Sequence, residues 1–309
     1  MSGDEKVGNI AVIGSLNMDI VNHVLKMPLP GETIKALSTE YIPGGKGANQ
    51  AVAASLSGSR VKMIGAVGSD LFSNKLIESL NEHGVQTDTL VNKKCETGVA
   101  FITVDHTGEN NIILSEGANG LFSERDIPFS LFDDVDTLLV QNEIPWHATR
   151  FAIETANKNG IRVIFNPAPA LRSKAIIPLV DVLILNKTEL EVLTGSIVKD
   201  ISSAELGLKD LITDGVREVV LTLGDQGSIY MNSGGKHLYT PAYKVNTVDT
   251  TAAGDTFIGA FASIYEADLS IEEKLLYSTA AAALSVSKKR AQTSIPNRED
   301  IEQFIAQQM

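Results

Sequence analysis

The segment richest in chemistry is Asp249-Thr-Thr-Ala-Ala-Gly-Asp255-Thr-Phe. It stands at the end of a predicted strand and opens an apolar helix from Phe257 to Tyr265. Ala252, Ala253 and Gly254 carry little side-chain bulk, so a ligand can come close to the backbone. The first amides of a helix lack internal partners and carry the positive end of its dipole. Such a turn is an anion hole suited to a phosphoryl group in transfer. Asp255 lies in that same turn, where a carboxylate can accept the proton of an attacking hydroxyl. An aspartate there is also a common helix cap. The small-residue run and the neighbouring Asp249, Thr250 and Thr251 favour the chemical reading.

The second segment is Pro43-Gly-Gly-Lys-Gly-Ala-Asn49-Gln50-Ala51, leading into a helix. Gly44, Gly45 and Gly47 would let a polar ligand approach, while Lys46 and Asn49 offer donors; the plainer reading is a flexible turn. In Ser15-Leu-Asn17-Met-Asp19, after the first strand, Asn17 and Asp19 share a face if the chain stays extended. An amide beside a carboxylate grips vicinal hydroxyls. Gln141-Asn142-Glu143 and Asn186-Lys-Thr-Glu189 also follow strands. Asn186 and Glu189 suit hydrated Mg²⁺ and phosphate oxygens, or else a capping box. Thr222-Leu-Gly224-Asp-Gln-Gly227 is a glycine turn between strands, either a hairpin or a nucleotide wall. Ser285-Val-Ser-Lys288-Lys-Arg290-Ala-Gln-Thr-Ser294 reads as a positive helix end, whose carbonyls could also ligate a monovalent cation.

Several chemistries are excluded. The chain has no Walker P-loop, no Gly-x-Gly-x-x-Gly fingerprint after its first strand, no Gly-x-Ser-x-Gly elbow and no His-Glu-x-x-His. Its five histidines are scattered without metal-ligand spacing. With 38 acidic residues against 26 Lys+Arg, the formal charge of −12 argues against a general nucleic-acid or anionic-membrane binder. Cys95, the only cysteine, cannot form an internal disulfide. No secretory signal or membrane span is visible, so a cytoplasmic setting is expected.

The groups must be held by an alternation of strands and helices. Short β-branched runs at Asn9–Gly14, Arg60–Gly65, Thr137–Gln141, Ile161–Phe165, Asp181–Leu185 and Glu218–Thr222 predict strands covered on both faces. Helices are predicted at Ser69–His83, His147–Asn159, Ser202–Asp214, Ala253–Ala267, Ile271–Lys288 and from Arg298, with a capping box at Ser202 to Glu205. This rhythm predicts an α/β fold with a mostly parallel central sheet. Two stretches depart from it. Asp19–Val24 with Glu32–Ala36, and Val99–Val104 with Asn111–Leu114, predict antiparallel pairs forming a small lid sheet. The expected large domain is then 1–16, 45–96 and 116–309, and the lid is 17–44 and 97–115.

Taken together these motifs resemble the ribokinase family of sugar kinases, along nearly the whole chain and in order. The resemblance implies a three-layer α/β/α fold and ATP-dependent phosphorylation of a sugar primary hydroxyl, here O5 of D-ribose. It implies Asp255 as catalytic base and Ala252, Ala253 and Gly254 as the anion hole. Asn17, Asp19, Gly45, Lys46, Gly47, Asn49, Glu143 and Asp255 would bind the sugar. Asn186, Thr222, Gly224, Gly227, Gly254 and Thr279 would serve ATP, and Glu189 would serve Mg²⁺ through water. Asp249, Thr251, Ser285, Lys288, Arg290 and Ser294 match an activating K⁺ site. The lid would also form a homodimer contact. Arg290 stands where many relatives have glycine, and Thr279 where His or Asn is frequent. The same resemblance leaves open another acceptor (fructose, a nucleoside, a deoxysugar acid) or a non-catalytic sugar sensor.

Overall fold

The computed structural model describes residues 8–289 and 291–308. Arg290, expected at the cation site, lies outside the described residues. The strands are β1 (Asn9–Ile13), β2 (Asn17–His23), β3 (Ser38–Gly44), β4 (Arg60–Ile64), β5 (Ala66–Val67), β6 (Val91–Asn92), β7 (Gly98–Val104), β8 (Asn110–Ser115), β9 (Thr137–Val140), β10 (Arg162–Phe165), β11 (Val182–Asn186), β12 (Glu218–Thr222), β13 (Ser228–Asn232) and β14 (His237–Thr240). The helices are α1 (Lys46–Leu56), α2 (Leu71–Glu82), α3 (Trp146–Lys158), α4 (Lys187–Thr194), α5 (Ile201–Thr213), α6 (Ala253–Ile264), α7 (Ile271–Val286), α8 (Ala291–Ser294) and α9 (Arg298–Gln308).

The main sheet runs β14-β13-β12-β11-β10-β9-β1-β4. The six strands from β12 to β4 are parallel, and β13 and β14 return antiparallel. Alternate residues of β1 enter opposite cores. Ala11 and Ile13 pack with α3, α4 and α5, while Ile10 and Val12 pack with α1, α2 and α6. Each fully buried Val, Leu or Ile of these strands contributes about 1.5–3 kcal/mol relative to exposure. All six predicted main-sheet strands are present, in a three-layer α/β/α fold.

The second sheet has order β3-β2-β7-β8, with β2 and β7 parallel at its centre and antiparallel partners outside. Its second strand is Ser38–Gly44, not Glu32–Ala36. Glu32 instead folds the preceding segment back on itself: its carboxylate accepts the Leu29 amide at 3.0 Å and Lys26 Nζ at 2.8 Å. β8 is exposed along its length, leaving Ile112, Ile113 and Leu114 on the surface with Phe101 of β7.

One helix start also moves. Asp200, not Ser202, caps α5 and pairs with Ser203 in a capping box. An ionised acceptor makes the stronger cap. Among the described residues no helix is long and apolar enough to cross a membrane.

Candidate active site

The polar residues collect along the carboxyl edge of the parallel sheet, where open α/β sheets bind ligands. Thr222 ends β12 and Asn186 ends β11. Asn166 follows β10, Gln141 to Glu143 follow β9, and Ser15 follows β1. Helices α1 and α6 close over one side. Their approach depends on Gly259, where an added Cβ would come within 2.5 Å of both Ala53 Cβ and Gln50 O. That contact sets Asn49 and Gln50 against Asp255, which lies four residues before Gly259. Asn49 Nδ2 donates to Asp255 Oδ2 at 3.1 Å, and Gln50 Nε2 donates to Oδ1 at 2.9 Å.

Asp255 lines a cleft of about 250 Å³ with Lys46, Asn166, Asn186, Glu189, Thr222, Ala252, Ala253 and Gly254. A second cavity of about 310 Å³ shares Asn186 and Thr222 and continues past Lys199 and Gly224. The two make one trough along the edges of β11 and β12. At its inner end Ala252 adopts a left-handed conformation, φ 62°, immediately before α6. Among described non-glycine residues it alone has a positive φ, and strain of this kind gathers at functional sites. The amides of Gly254 and Asp255 make no backbone hydrogen bond in the first turn. A Cβ at Gly254 would meet nothing within 4 Å, and its φ does not require glycine. Neither packing nor conformation accounts for a glycine there; bare backbone beside the cleft does.

The Gly-rich turn before α1 is set by the chain's own backbone. Gly45 has φ 94°, and a Cβ there would come within 2.7 Å of Asn17 N. A Cβ at Gly47 would meet Gly14 and Ser15 backbone atoms at 2.7 Å. Both glycines are required by the chain's own crossing. The crossing places Lys46 beside four carboxylates. Asp255, first, and then Glu143, Glu189 and Asp19 hold the Lys46 ammonium above its usual pKa, against the opposing effect of burial. Burial, followed by the charges of Glu143 and Asp255, pushes the Asp19 carboxyl up to about 7. Burial likewise raises Glu189.

Asn17 is buried, and its Oδ1 accepts from Asn119 Nδ2 at 2.8 Å. Asn119 also exchanges hydrogen bonds with the Leu16 backbone, fixing the step from β1 to β2. Glu143 Oε2 accepts Ser15 Oγ at 2.5 Å and the Lys46 amide at 3.2 Å. Asn186 and Glu189 form the capping box: Glu189 N donates to Asn186 Oδ1 at 2.9 Å, and Glu189 Oε2 accepts the Asn186 amide at 2.8 Å. Glu189 nevertheless lines the cleft. The cap and the site are one feature.

Gly227 turns the β12–β13 hairpin, where a Cβ would fall 2.0 Å from Thr240 O. Thr279 is buried on α7 and donates its hydroxyl to Leu275 O at 2.7 Å. Neither is among the described residues lining the two cavities. Around the expected K⁺ position, Val248 N and Asp249 N both donate to Val286 O, at 2.8 and 3.2 Å. Asp249 Oδ1 accepts the Thr251 amide at 2.9 Å. Ser285 and Ser294 hydroxyls lie 3.1 Å apart, and Lys288 N donates to Ser285 O at 3.2 Å. These described residues are therefore brought together next to the turn that opens α6. Asn119 and Asn166 lie outside the motifs read from sequence, while Ser15, Gln50, Gln141 and Gln292 lie inside them without an assigned role. They are polar residues on buried faces, and only the fold reveals what they touch.

Residues 7–298 match the family model of pfkB family carbohydrate kinases. The chain belongs to the pfkB family. Within it, the chain is 38% identical to ribokinase from Haemophilus influenzae over 303 residues, covering 96% of this chain and 98% of that one. It is 36% identical to deoxyribokinase from Salmonella typhi, covering 96% and 99%. Among solved pfkB-fold structures, Arabidopsis thaliana ribokinase complexed with ribose and ATP superposes with a TM-score of 0.90 at 30% identity, covering 97% and 99%.

Proposed function

We propose that this pfkB-family kinase transfers the γ-phosphoryl group of ATP to O5 of D-ribose, releasing D-ribose 5-phosphate and ADP. The observation that carries the reading is the juxtaposition of Asp255 with the bare Gly254 turn at the inner end of the trough. A proton acceptor and an anion hole meet there. In the reaction O5 attacks the phosphorus in line, the bond from phosphorus to the β,γ-bridging oxygen breaks, and the O5 proton passes to Asp255. The transition state is loose, so positioning and charge stabilisation supply most of the rate. Ala252, Ala253 and Gly254 neutralise charge through backbone amides. Asn17, Asp19, Asn49 and Glu143 hold the sugar hydroxyls, and Lys46 offsets their charge. Asn186, Thr222 and Gly224 line the nucleotide path.

The nucleotide brings negative charge to a site that already holds Asp19, Glu143, Glu189 and Asp255 around one lysine. Cations are needed to balance it. Among the described residues no three His, Cys, Asp or Glu side chains form a cluster that could hold a metal. A divalent ion held mainly by phosphate oxygens and water, with Glu189 in outer contact, fits this arrangement. Bound Mg²⁺ would neutralise phosphate charge. K⁺ near Asp249 and Thr251 would steady the loop that forms the anion hole. The exposed apolar row on β8 fits a homodimer contact through the small sheet, which would close over the sugar as a lid. The expected setting is cytoplasmic.

Similar identity to a deoxyribokinase favours one second reading, transfer to 2-deoxyribose. The two sugars differ by a single hydroxyl, and a site built to hydrogen-bond it rejects the analogue lacking it. The role of Asp255 is tested by Asp255→Ala, which should abolish turnover while ATP binding persists. Turnover near wild type would overturn the assignment.

A further inference from the structure

We propose that Gln50 and Gln141 form a directed amide relay that fixes the orientation of the Asp255 carboxylate, making both of them positioning residues for phosphoryl transfer. The inference rests on the reading of Asp255 as proton acceptor. Gln50 and Gln141 are both fully buried, and the chemistry above uses neither. Gln141 Nε2 donates to Gln50 Oε1 at 2.7 Å, and Gln50 Nε2 donates to Asp255 Oδ1 at 2.9 Å. Gln50 Nε2 also lies 3.3 Å from Asn166 Oδ1.

A side-chain amide has one donating end and one accepting end, whereas an ionised carboxylate only accepts. Asp255 therefore dictates which way Gln50 faces, and the oxygen of Gln50 then dictates Gln141. The last member is left with an oxygen that has nowhere to go. Gln141 Oε1 is buried without a hydrogen-bond partner. Reversing both amides would set the Gln50 oxygen against Asp255 Oδ1 and Asn166 Oδ1, two acceptor–acceptor contacts. One orphaned neutral oxygen is the smaller penalty, because an unpaired buried carboxylate costs more than an unpaired carbonyl. Gln141 cannot swing away to relieve it. A Cβ on Gly14 would fall 2.0 Å from Gln141 Oε1, so the amide is packed directly on β1's carboxyl end.

The other carboxylate oxygen is approached with the same polarity. Ser79 Oγ donates to Gln292 Oε1 at 2.7 Å, Gln292 Nε2 to Asn49 Oδ1 at 3.3 Å, and Asn49 Nδ2 to Asp255 Oδ2 at 3.1 Å. Both series of donors run toward Asp255. That shared direction is what a buried, acceptor-only carboxylate imposes on every amide chain that ends on it, and it leaves both oxygens of Asp255 held from the protein side. Holding the carboxylate against rotation keeps it aligned with the attacking hydroxyl, and misplacement by about 1 Å can cost on the order of 100-fold in rate.

The test is a double-mutant cycle in the full-length kinase with Gln50→Met and Gln141→Met, which keep length and remove the amide. Each single variant should lower kcat by about 10- to 100-fold, with KM for ATP and ribose within about threefold of wild type. The double variant should be no slower than Gln50→Met, since Gln141 acts only through Gln50. Melting temperature should change little in Gln141→Met, because one orphaned oxygen is exchanged for another. If that variant is poorly folded, Gln141→Ala, which leaves room for water, takes its place. Multiplicative losses, wild-type kcat in either single variant, or a change confined to KM would overturn the relay. Asp255→Ala run alongside separates the two claims: full activity there refutes the proton acceptor, whereas its loss with unaffected glutamine variants refutes the relay alone.

Discussion

Replacing Asp19 by asparagine should stabilise the ligand-free protein, and by an amount that grows with pH. The Asp19 carboxyl is pushed up from its usual 3.8 to about 7 by burial and by the charges of Glu143 and Asp255, with Lys46 opposing. Its surroundings give little relief: a Cβ on Gly44 would come within 2.4 Å of Asp19 Oδ2. A raised folded pKa means that the folded chain keeps a proton that the unfolded chain releases above 3.8. Its contribution is fully present below that value and is lost as pH rises toward about 7. Within that window each pH unit removes about 1.4 kcal/mol. From pH 5 to pH 8 the loss sums to about 2.5 kcal/mol, nearly all of it below pH 7. The replacing amide has no proton to lose, so the variant lacks this titration, and groups remote from Asp19 cancel between the two proteins. Urea unfolding of both proteins at pH 5, 6, 7 and 8 reads the difference directly. The stability gap should widen by about 2.5 kcal/mol and then level off. A gap constant within about 0.5 kcal/mol across that range would refute the half-buried, charge-crowded description of Asp19. The same carboxylate is the proposed grip on the sugar, so the stabilised variant should bind ribose more weakly, the trade between stability and function expected at an active site.

Three further outcomes follow from the same geometry. Gly254→Ala should keep or gain about 0.5–1 kcal/mol of stability, because the added methyl meets open space in a helix. Its kcat should fall at least about 10-fold as the methyl enters the phosphoryl position; unchanged turnover would remove the anion hole. Activity should rise with K⁺ at constant ionic strength and lose that response in Asp249→Ala, while a flat K⁺ titration would refute the cation site. Ile113→Asp on the exposed face of β8 should convert a dimer to a monomer in sedimentation, and a wild-type monomer would refute the interface.

The parts of the fold that were legible from sequence are those governed by local pattern. Continuous apolar runs such as Val219 to Leu221 are buried on both faces, so period and composition marked them as central strands. The place of Gly254 and Asp255 in the first turn of α6 was legible because a helix start is marked by adjacent residues. The capping box at Asn186 and Glu189 was legible for the same reason. Long-range dependencies were not. The helix crossing at Gly259 unites positions 50 and 259, and Gln50 gains its meaning only when Gln141 and Asp255 meet it. Gly45 and Gly47 accommodate the chain's own backbone, a requirement set by residues 14 to 17 that the local motif does not display. At Glu32 the local pattern predicts a strand, but a carboxylate bonded to Leu29 and Lys26 folds the segment back on itself.

The most direct test is ADP release by the purified full-length chain with ATP, Mg²⁺ and K⁺, over ribose, 2-deoxyribose, fructose and adenosine. Ribose should give the highest kcat/KM, with phosphate found on O5 of the product. Higher kcat/KM for another acceptor would reassign the substrate, and sugar binding without ADP release under any cation would contradict catalysis altogether.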